Sequence, residues 1–313
     1  MPQDGEYLLN HARSGIVLAL RAALLHGGRV GVMAYNCHTV ANAVVNAGCV
    51  PVFVDVTEDL HINIATIPSD LDALVVTNLF GIHNDITAIR KHCPRTIIIV
   101  DNAHGYGLPE EGDFTVYSIN QGKFPSIGEG GILKVAPSIG DSRLHVADMY
   151  SKLPTYSKFA QLKLFLSMQM KALAYSKWCY WLTIRMKELK RERIKDEVVI
   201  RQMAPGVRRL YANWLLKAKT VITQQRMNAL EINERMTWIK SEGIIGDNGF
   251  MLVVRTKDVK GLKAYFAALG IEAETHFAHS IDWAKEFGYR KGSCPIAEAF
   301  VKQLIMIPTY TKI

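Results

Sequence analysis

The feature that most constrains this chain is a series of short, β-branched apolar runs separated by stretches with helical periodicity. RVGVMA at 29–34, CVPVFV at 49–54, LVVT at 74–77 and TIIIV at 96–100 are too short to be helices and too continuously apolar to be strands with one wet face. They predict strands buried on both sides. The intervening stretches at 16–24, 39–47 and 86–92 predict helical crossovers, so the expected fold class is α/β, a mostly parallel central sheet with helices on both faces.

The run at 96–100 ends abruptly in an acid, Asp101. A further strand-like run at 114–117 ends in Ser118, and Lys123 follows between Gly122 and Phe124, ahead of a glycine-rich turn at 128–131. In open α/β sheets ligands collect at the carboxyl ends of strands, so Asp101, Ser118 and Lys123 could converge. An acid and a lysine there suit pyridoxal phosphate: the amine forms a Schiff base with the aldehyde, and the carboxylate keeps the pyridine nitrogen protonated. Spacing alone leaves a plainer reading open, with Asp101 capping a turn and Lys123 a solvated surface lysine. Ser14, ahead of an apolar helical run, is likewise either a simple N-cap or part of a phosphate seat at a helix N-terminus.

Length and composition agree with a globular enzyme-sized protein. With 313 residues, 49% of them hydrophobic, the chain can bury one large core and a smaller one. The five cysteines are odd in number and contain no CxxC pair, and the histidines lack ligand spacing, so neither a disulfide framework nor a metal site is expected. The start has no basic segment followed by an apolar one, which together with the cysteines predicts a cytoplasmic protein. The net charge of +8 is concentrated after residue 141, in a region rich in Lys, Leu, Met, Tyr and Trp. Lysines interrupt it at helical intervals, so a membrane span is not expected. The basic amphipathic stretch at 158–195 either packs against its own protein or a partner subunit, or makes a peripheral contact with an anionic membrane. No helix-turn-helix, RNP or zinc pattern accompanies the charge, so nucleic acid is not an expected partner. A long helix is expected from about 207 into Gly243, and a strand, helix, strand pattern over 250–276 predicts a smaller α+β domain. The predicted domains are 1–200 and 201–313.

Several ordered blocks carry a family resemblance. VDNAHGYG at 100–107 and GDFTVYSINQGKFPSIGEGGIL at 112–133 resemble the signature of the DegT/DnrJ/StrS-type sugar aminotransferases. SGIVLAL at 14–20, ANAVVNAGCVPVFVDV at 41–56, LFGIHNDITAI at 79–89, LGIEAETHFAHSI at 269–281 and CPIAEAFVKQLIMIPTY at 294–310 are similar to further family blocks in the same order. The resemblance implies pyridoxal phosphate fold type I, with Lys123 as the Schiff-base lysine and Asp101 as the pyridinium partner. It also implies Ser118 on the cofactor phosphate, and Ser14, Gly15 and Ile16 at the phosphate-binding helix start, with Ile16 where the family has threonine. His104 falls where the family has glutamine, beside the cofactor's phenolic oxygen, where an imidazole could also titrate near neutral pH. The ring-stacking aromatic falls at Tyr35 or Cys37, and His276 falls in a substrate block.

The implied function is transfer of an amino group, from glutamate, to a nucleotide-linked keto-sugar in surface polysaccharide, lipopolysaccharide or secondary-metabolite sugar biosynthesis. The implied assembly is a homodimer that shares its active sites, and the chain reads as shortened at both ends relative to the family. The alternative is a non-catalytic or regulatory relative that keeps the fold, motivated by Ile16, by Val207 in the place of a family asparagine, and by the shortened ends. Relatives that dehydrate sugars carry histidine in place of the lysine, so Lys123 speaks for amino transfer.

Overall fold

A computed structural model describes residues 5–174, 194–235, 243–269, 271 and 273–309. Its centre is a seven-stranded sheet in the order β1-β7-β6-β5-β4-β2-β3. The strands are β1 (Glu6–Leu9), β2 (Arg29–Met33), β3 (Val50–Val54), β4 (Ala73–Thr77), β5 (Ile97–Asn102), β6 (Phe114–Ser118) and β7 (Gly131–Val135). All pairings from β3 across to β6 are parallel, and β7 runs antiparallel to both β6 and β1. The expected mostly parallel α/β sheet is therefore what the chain forms.

The side-chain period of two explains why these runs are apolar throughout. Leu74, Val76, Ile98 and Val100 point into one core, whereas Ala73, Val75, Ile99 and Val116 point into the core on the opposite face. The second core is covered by α1 (Ala12–Ala22), α2 (His38–Asn46) and α4 (Gly140–Ser151), through Ile16, Leu20, Val40, Val44 and Val146. The first is covered by α3 (Ile86–His92) and by the C-terminal elements, through Ile86, Ile89, Phe250 and Phe300. Each such side chain contributes roughly 1.5–3 kcal/mol of transfer free energy, so the two-sided burial is the main stabilising element.

The C-terminal part carries a three-stranded antiparallel sheet in the order β10-β9-β8, built from β8 (Gly243–Ile245), β9 (Met251–Arg255) and β10 (Leu304–Pro308). Helices α8 (Val259–Ala268), α9 (Ser280–Lys285) and α10 (Pro295–Phe300) accompany it. Among the described residues between α8 and α9, which leave out 270 and 272, no strand is formed. Glu274 makes only an isolated antiparallel bridge to Met306, because the edge beyond β10 is reached at that single point.

One further expectation is corrected. The long helix is broken at Leu216-Lys217 into α6 (Pro205–Leu215) and α7 (Ala218–Arg235), and the stretch from 236 to 242 lies outside the described residues. The basic region contains α4 and α5 (Lys158–Ala174), and the part of it at 175–193 lies outside the described residues. On α5 only Leu164 and Met168 pack against the protein core, while Phe159, Leu162, Phe165, Leu166, Met170 and Leu173 are exposed. Among the described residues no helix is long and apolar enough to cross a membrane.

Candidate active site

Parallel register brings the carboxyl ends of the central strands level. Thr77 at the end of β4 pairs with Asp101 on β5, and Asp101 is also level with Val116 on β6, two residues before Ser118. The turns that leave these ends carry His104 and Lys123. Lys123 Nζ and His104 Nε2 lie 2.7 Å apart. The other ring nitrogen, His104 Nδ1, accepts the backbone N–H of Phe80 at 3.1 Å. His104 is 5% exposed and stacks on Phe250 (centroids 4.9 Å), Phe80 (5.6 Å) and Phe277 (6.0 Å). Phe80 and Phe277 both sit in the left-handed backbone region, at φ 55° and 59°, which costs a non-glycine residue of order 1 kcal/mol or more. Such strain is held in place by the surrounding packing.

Asp101 is also buried. Its Oδ1 accepts the Ala103 N–H at 3.0 Å, and its Oδ2 accepts the Thr77 hydroxyl at 3.3 Å, which in turn accepts from Asn36 Nδ2 at 2.8 Å. Burial pushes the Asp101 carboxyl above its ordinary range, while the Ala103 N–H, Lys123 and Thr77 oppose that shift. Burial likewise pushes Lys123 below the ordinary lysine range, against the pull of Cys37 and Asp101. His104 is driven well below its ordinary value by burial, then by Lys123 and His276. That direction runs against the expected titration of His104 near neutral pH, because burial and the neighbouring Lys123 and His276 disfavour the charged ring.

The remaining candidates divide. Cys37 caps α2 within electrostatic range of Lys123, and Ser118 is buried at the end of β6 with its Oγ 3.5 Å from the Asn120 N–H. Tyr35 is buried in the core, donates its hydroxyl to the His276 carbonyl at 2.8 Å and meets Phe277 edge-on, so of the two residues only Cys37 neighbours the lysine. His276 joins Glu274 at 3.0 Å on the turn that also carries Phe277. The helix start is shifted from expectation. α1 begins at Ala12 with His11 as its cap, and Ser14 and Ile16 are buried in its first turns, as is Gly15. The Ser14 hydroxyl donates to Asn10 Oδ1 at 2.9 Å, so it braces the β1–α1 turn. The end of α1 that faces Asn120, whose Nδ2 lies 3.5 Å from His11 Nδ1, is formed by His11, Ala12 and Arg13. Gly131 is required there, since a Cβ would stand 2.3 Å from the Ala12 nitrogen. Val207, at the position of the family asparagine, is buried with Met203 and Tyr211 in its own core cluster.

Residues 8–145 match the model of the DegT/DnrJ/EryC1/StrS aminotransferase family. The match covers somewhat less than half of the chain. No curated protein sequence matches the chain. Among solved structures, DesV of S. venezuelae in complex with a ketimine intermediate is 20% identical with a TM-score of 0.73, covering 99% of this chain and 81% of that one. Spr1654 from Streptococcus pneumoniae in its PLP form is 17% identical with a TM-score of 0.73, covering 98% and 82%. DesI in the presence of its TDP-sugar product is 15% identical with a TM-score of 0.71, covering 97% and 75%. These likenesses establish the fold, that of the pyridoxal phosphate fold type I proteins, across nearly the whole chain.

The donor set of the matched segment fits pyridoxal phosphate. Two of the roughly four lone-pair positions on the Asp101 carboxylate are taken by Ala103 and Thr77, which leaves capacity for a ring N–H. The half-buried amine of Lys123 is of the right chemistry for a nucleophile. Sequence reasoning missed Thr77, Asn36, Phe80 and Asn248. Asn248 donates through Nδ2 to the carbonyls of His104 (2.8 Å) and Tyr106 (3.2 Å), and so fastens the C-terminal part to the turn that carries His104. A lone threonine or asparagine after an apolar run gives no signal of its own, since its partner is fixed by sheet register.

Proposed function

We propose that this protein is a pyridoxal phosphate-dependent aminotransferase that delivers an amino group, with glutamate as donor, to a nucleotide-linked keto-sugar of surface polysaccharide, lipopolysaccharide or secondary-metabolite biosynthesis. The observation that carries the reading is the half-buried Lys123 amine, hydrogen-bonded to His104 and electrostatically coupled to Asp101. When bound, the cofactor supplies an electron sink that stabilises negative charge at the carbon losing a proton. Asp101 holds the proton on the ring nitrogen, with Thr77 and Ala103 fixing its orientation. Lys123 Nζ would hold the cofactor's aldehyde carbon and, as a free amine, would accept and return a proton at the substrate carbon. Ser118 and the amides at the start of α1 receive the phosphate. The TDP-sugar product in DesI and the PLP form of Spr1654 support the substrate and cofactor classes.

The same reading makes the protein a cytoplasmic homodimer, with each pocket completed by the partner subunit. It also gives 158–195 a peripheral contact with an anionic membrane, supported by the exposed apolar side chains of α5 beside the exposed Lys158, Lys163 and Lys171.

A second reading, a fold-retaining relative without catalysis, draws support from Ser14 and Ile16, which face the core at the expected phosphate seat. One experiment separates the two. Purified protein is mixed with pyridoxal phosphate, its visible absorbance recorded, and the adduct reduced with borohydride and mapped by mass spectrometry. The enzyme reading requires a mass addition on Lys123 that Lys123→Ala lacks, followed by transfer of labelled nitrogen from glutamate to a TDP-keto-sugar. An adduct on Lys123 without nitrogen transfer to any nucleotide keto-sugar tested would favour the scaffold, and no adduct at all would remove both the cofactor and the activity.

A further inference from the structure

Every hydrogen has to be placed somewhere in the contact between Lys123 and His104, and the geometry leaves one arrangement. The Phe80 backbone N–H can only donate, so His104 Nδ1, which lies 3.1 Å from it, is the acceptor and carries no proton. In a neutral imidazole the proton is then on Nε2, which faces Lys123 Nζ at 2.7 Å. An Nε2–H donor needs a lone pair opposite it. An ammonium group has none, whereas a free amine has one. We propose that His104 is a positioning residue that holds Lys123 as the free amine: the Phe80 amide locks the ring in the Nε2–H form, and that form can be satisfied only by unprotonated Nζ.

The surroundings fix this relationship from several sides. Phe80 is held with φ at 55°, and its amide is aimed at the ring by the 3₁₀ turn Leu79–Gly81. Phe250 and Phe277 stack on the imidazole, and Asn248 holds the His104 carbonyl, so the ring cannot turn over without losing packing. The ionisable neighbours are Asp101 from β5 and Cys37 from the start of α2, which favour a charged lysine, and His276, with its partner Glu274, from the turn before α9. Burial outweighs Asp101 and Cys37 in the same direction as the hydrogen bond. A glutamine in the place of His104 would not discriminate, because its amide can turn to offer either a donor or an acceptor to Nζ. The histidine therefore makes the lysine ready for addition to a carbonyl before any ligand arrives. The inference rests on Lys123 being the reacting amine of the proposed function, and it concerns the protein without its cofactor.

The test uses the full chain, free of pyridoxal phosphate. Nitrogen-15 chemical shifts of the His104 ring, assigned by comparison with His104→Gln, should report a protonated Nε2 and an unprotonated, hydrogen-bonded Nδ1. In parallel, trinitrobenzenesulfonate labelling of Lys123, read by peptide mass spectrometry across pH, should be faster at pH 7.5 in wild type than in His104→Gln by about tenfold, as one unit in amine pKa would give. An Nδ1–H ring in wild type would overturn the proposal even if the variant failed to fold. So would a Lys123 labelling profile in wild type that coincides with that of the exposed Lys158. Neither readout requires cofactor binding or turnover, so failure here is distinguishable from failure of the aminotransferase reading.

Discussion

Gly81 and Asn248 meet so closely that a Cβ on the glycine would stand 1.9 Å from the Asn248 amide oxygen. Gly81 also has φ at 84°, and its carbonyl accepts the Asp247 N–H at 2.8 Å. The contact joins the loop after β4 to the turn that enters β9, and Asn248 passes it on to the carbonyl of His104. Gly81→Ala should therefore cost about 3 kcal/mol in denaturant unfolding, through strain and overpacking together. Asn248→Ala should cost about 2 kcal/mol by leaving one buried and one half-buried carbonyl without their donor. Combined, the two losses should fall short of their sum, since removal of the amide relieves the clash. Strict additivity would mean that the contact is not the source of the strain.

Asp101→Asn tests the carboxylate separately from the amine. The amide can still accept from Ala103 and Thr77, so the fold and binding of pyridoxal phosphate should persist. Amino transfer should drop by about a hundredfold or more, because a neutral amide does not hold a proton on the ring nitrogen. Equal turnover in wild type and variant would remove Asp101 from the chemistry.

Acid sensitivity should carry the mark of His104. Its folded pKa lies well below the ordinary 6.5, with burial the main cause, so as pH falls below 6.5 the unfolded chain takes up a proton that the folded chain refuses. Stability is thus fully present above about 6.5 and is lost on the way down to the folded value, by up to about 1.4 kcal/mol per pH unit. His11, also lowered mainly by burial, adds loss of the same sign. Unfolding free energies from pH 7 to 5 should consequently fall less steeply for His104→Gln than for wild type. Parallel curves would show that the ring accepts a proton in the folded protein as readily as in the unfolded one.

The outer face of α5 offers a direct check on the membrane contact. Leu162→Glu with Phe165→Glu alters two exposed side chains that touch no core cluster, so melting should be unchanged. Co-sedimentation with phosphatidylglycerol vesicles should fall severalfold and wild-type binding should weaken with salt. Equal sedimentation of wild type and variant would leave the helix without that role.

The parts of this fold that sequence reasoning located share one property: their signal is local. Strands β2 to β6 are continuous apolar runs because both faces are buried, and Asp101, His104, Ser118 and Lys123 stand at the ends of such runs or just beyond them. β1 escaped because EYLL is short and its place is decided by β7, more than a hundred residues away. The cap of α1 was misplaced by three residues because Ser14 looks like a cap, whereas the observed cap is His11, where Gly131 approaches His11 and Ala12. The break at Leu216-Lys217 carries neither glycine nor proline, so no intrinsic propensity announces it. The tautomer of His104 depends on the Phe80 amide, which reaches the ring only because a bulky residue adopts a conformation that its own sequence disfavours.

The antiparallel pairing of β1 with β7 has a consequence for synthesis on the ribosome. Of the seven strands β1 leaves the exit tunnel before the others, yet among the described residues its partner strand in the sheet is β7, the last of the seven to be made, so it stays without that partner until residue 135 has emerged. Closing that pair has a high loop-entropy cost compared with closing β2 on β3 or β4 on β5, whose partners lie one crossover apart. Assembly should accordingly begin in the middle of the sheet and spread outward, with β1 joining late, onto strands already in place.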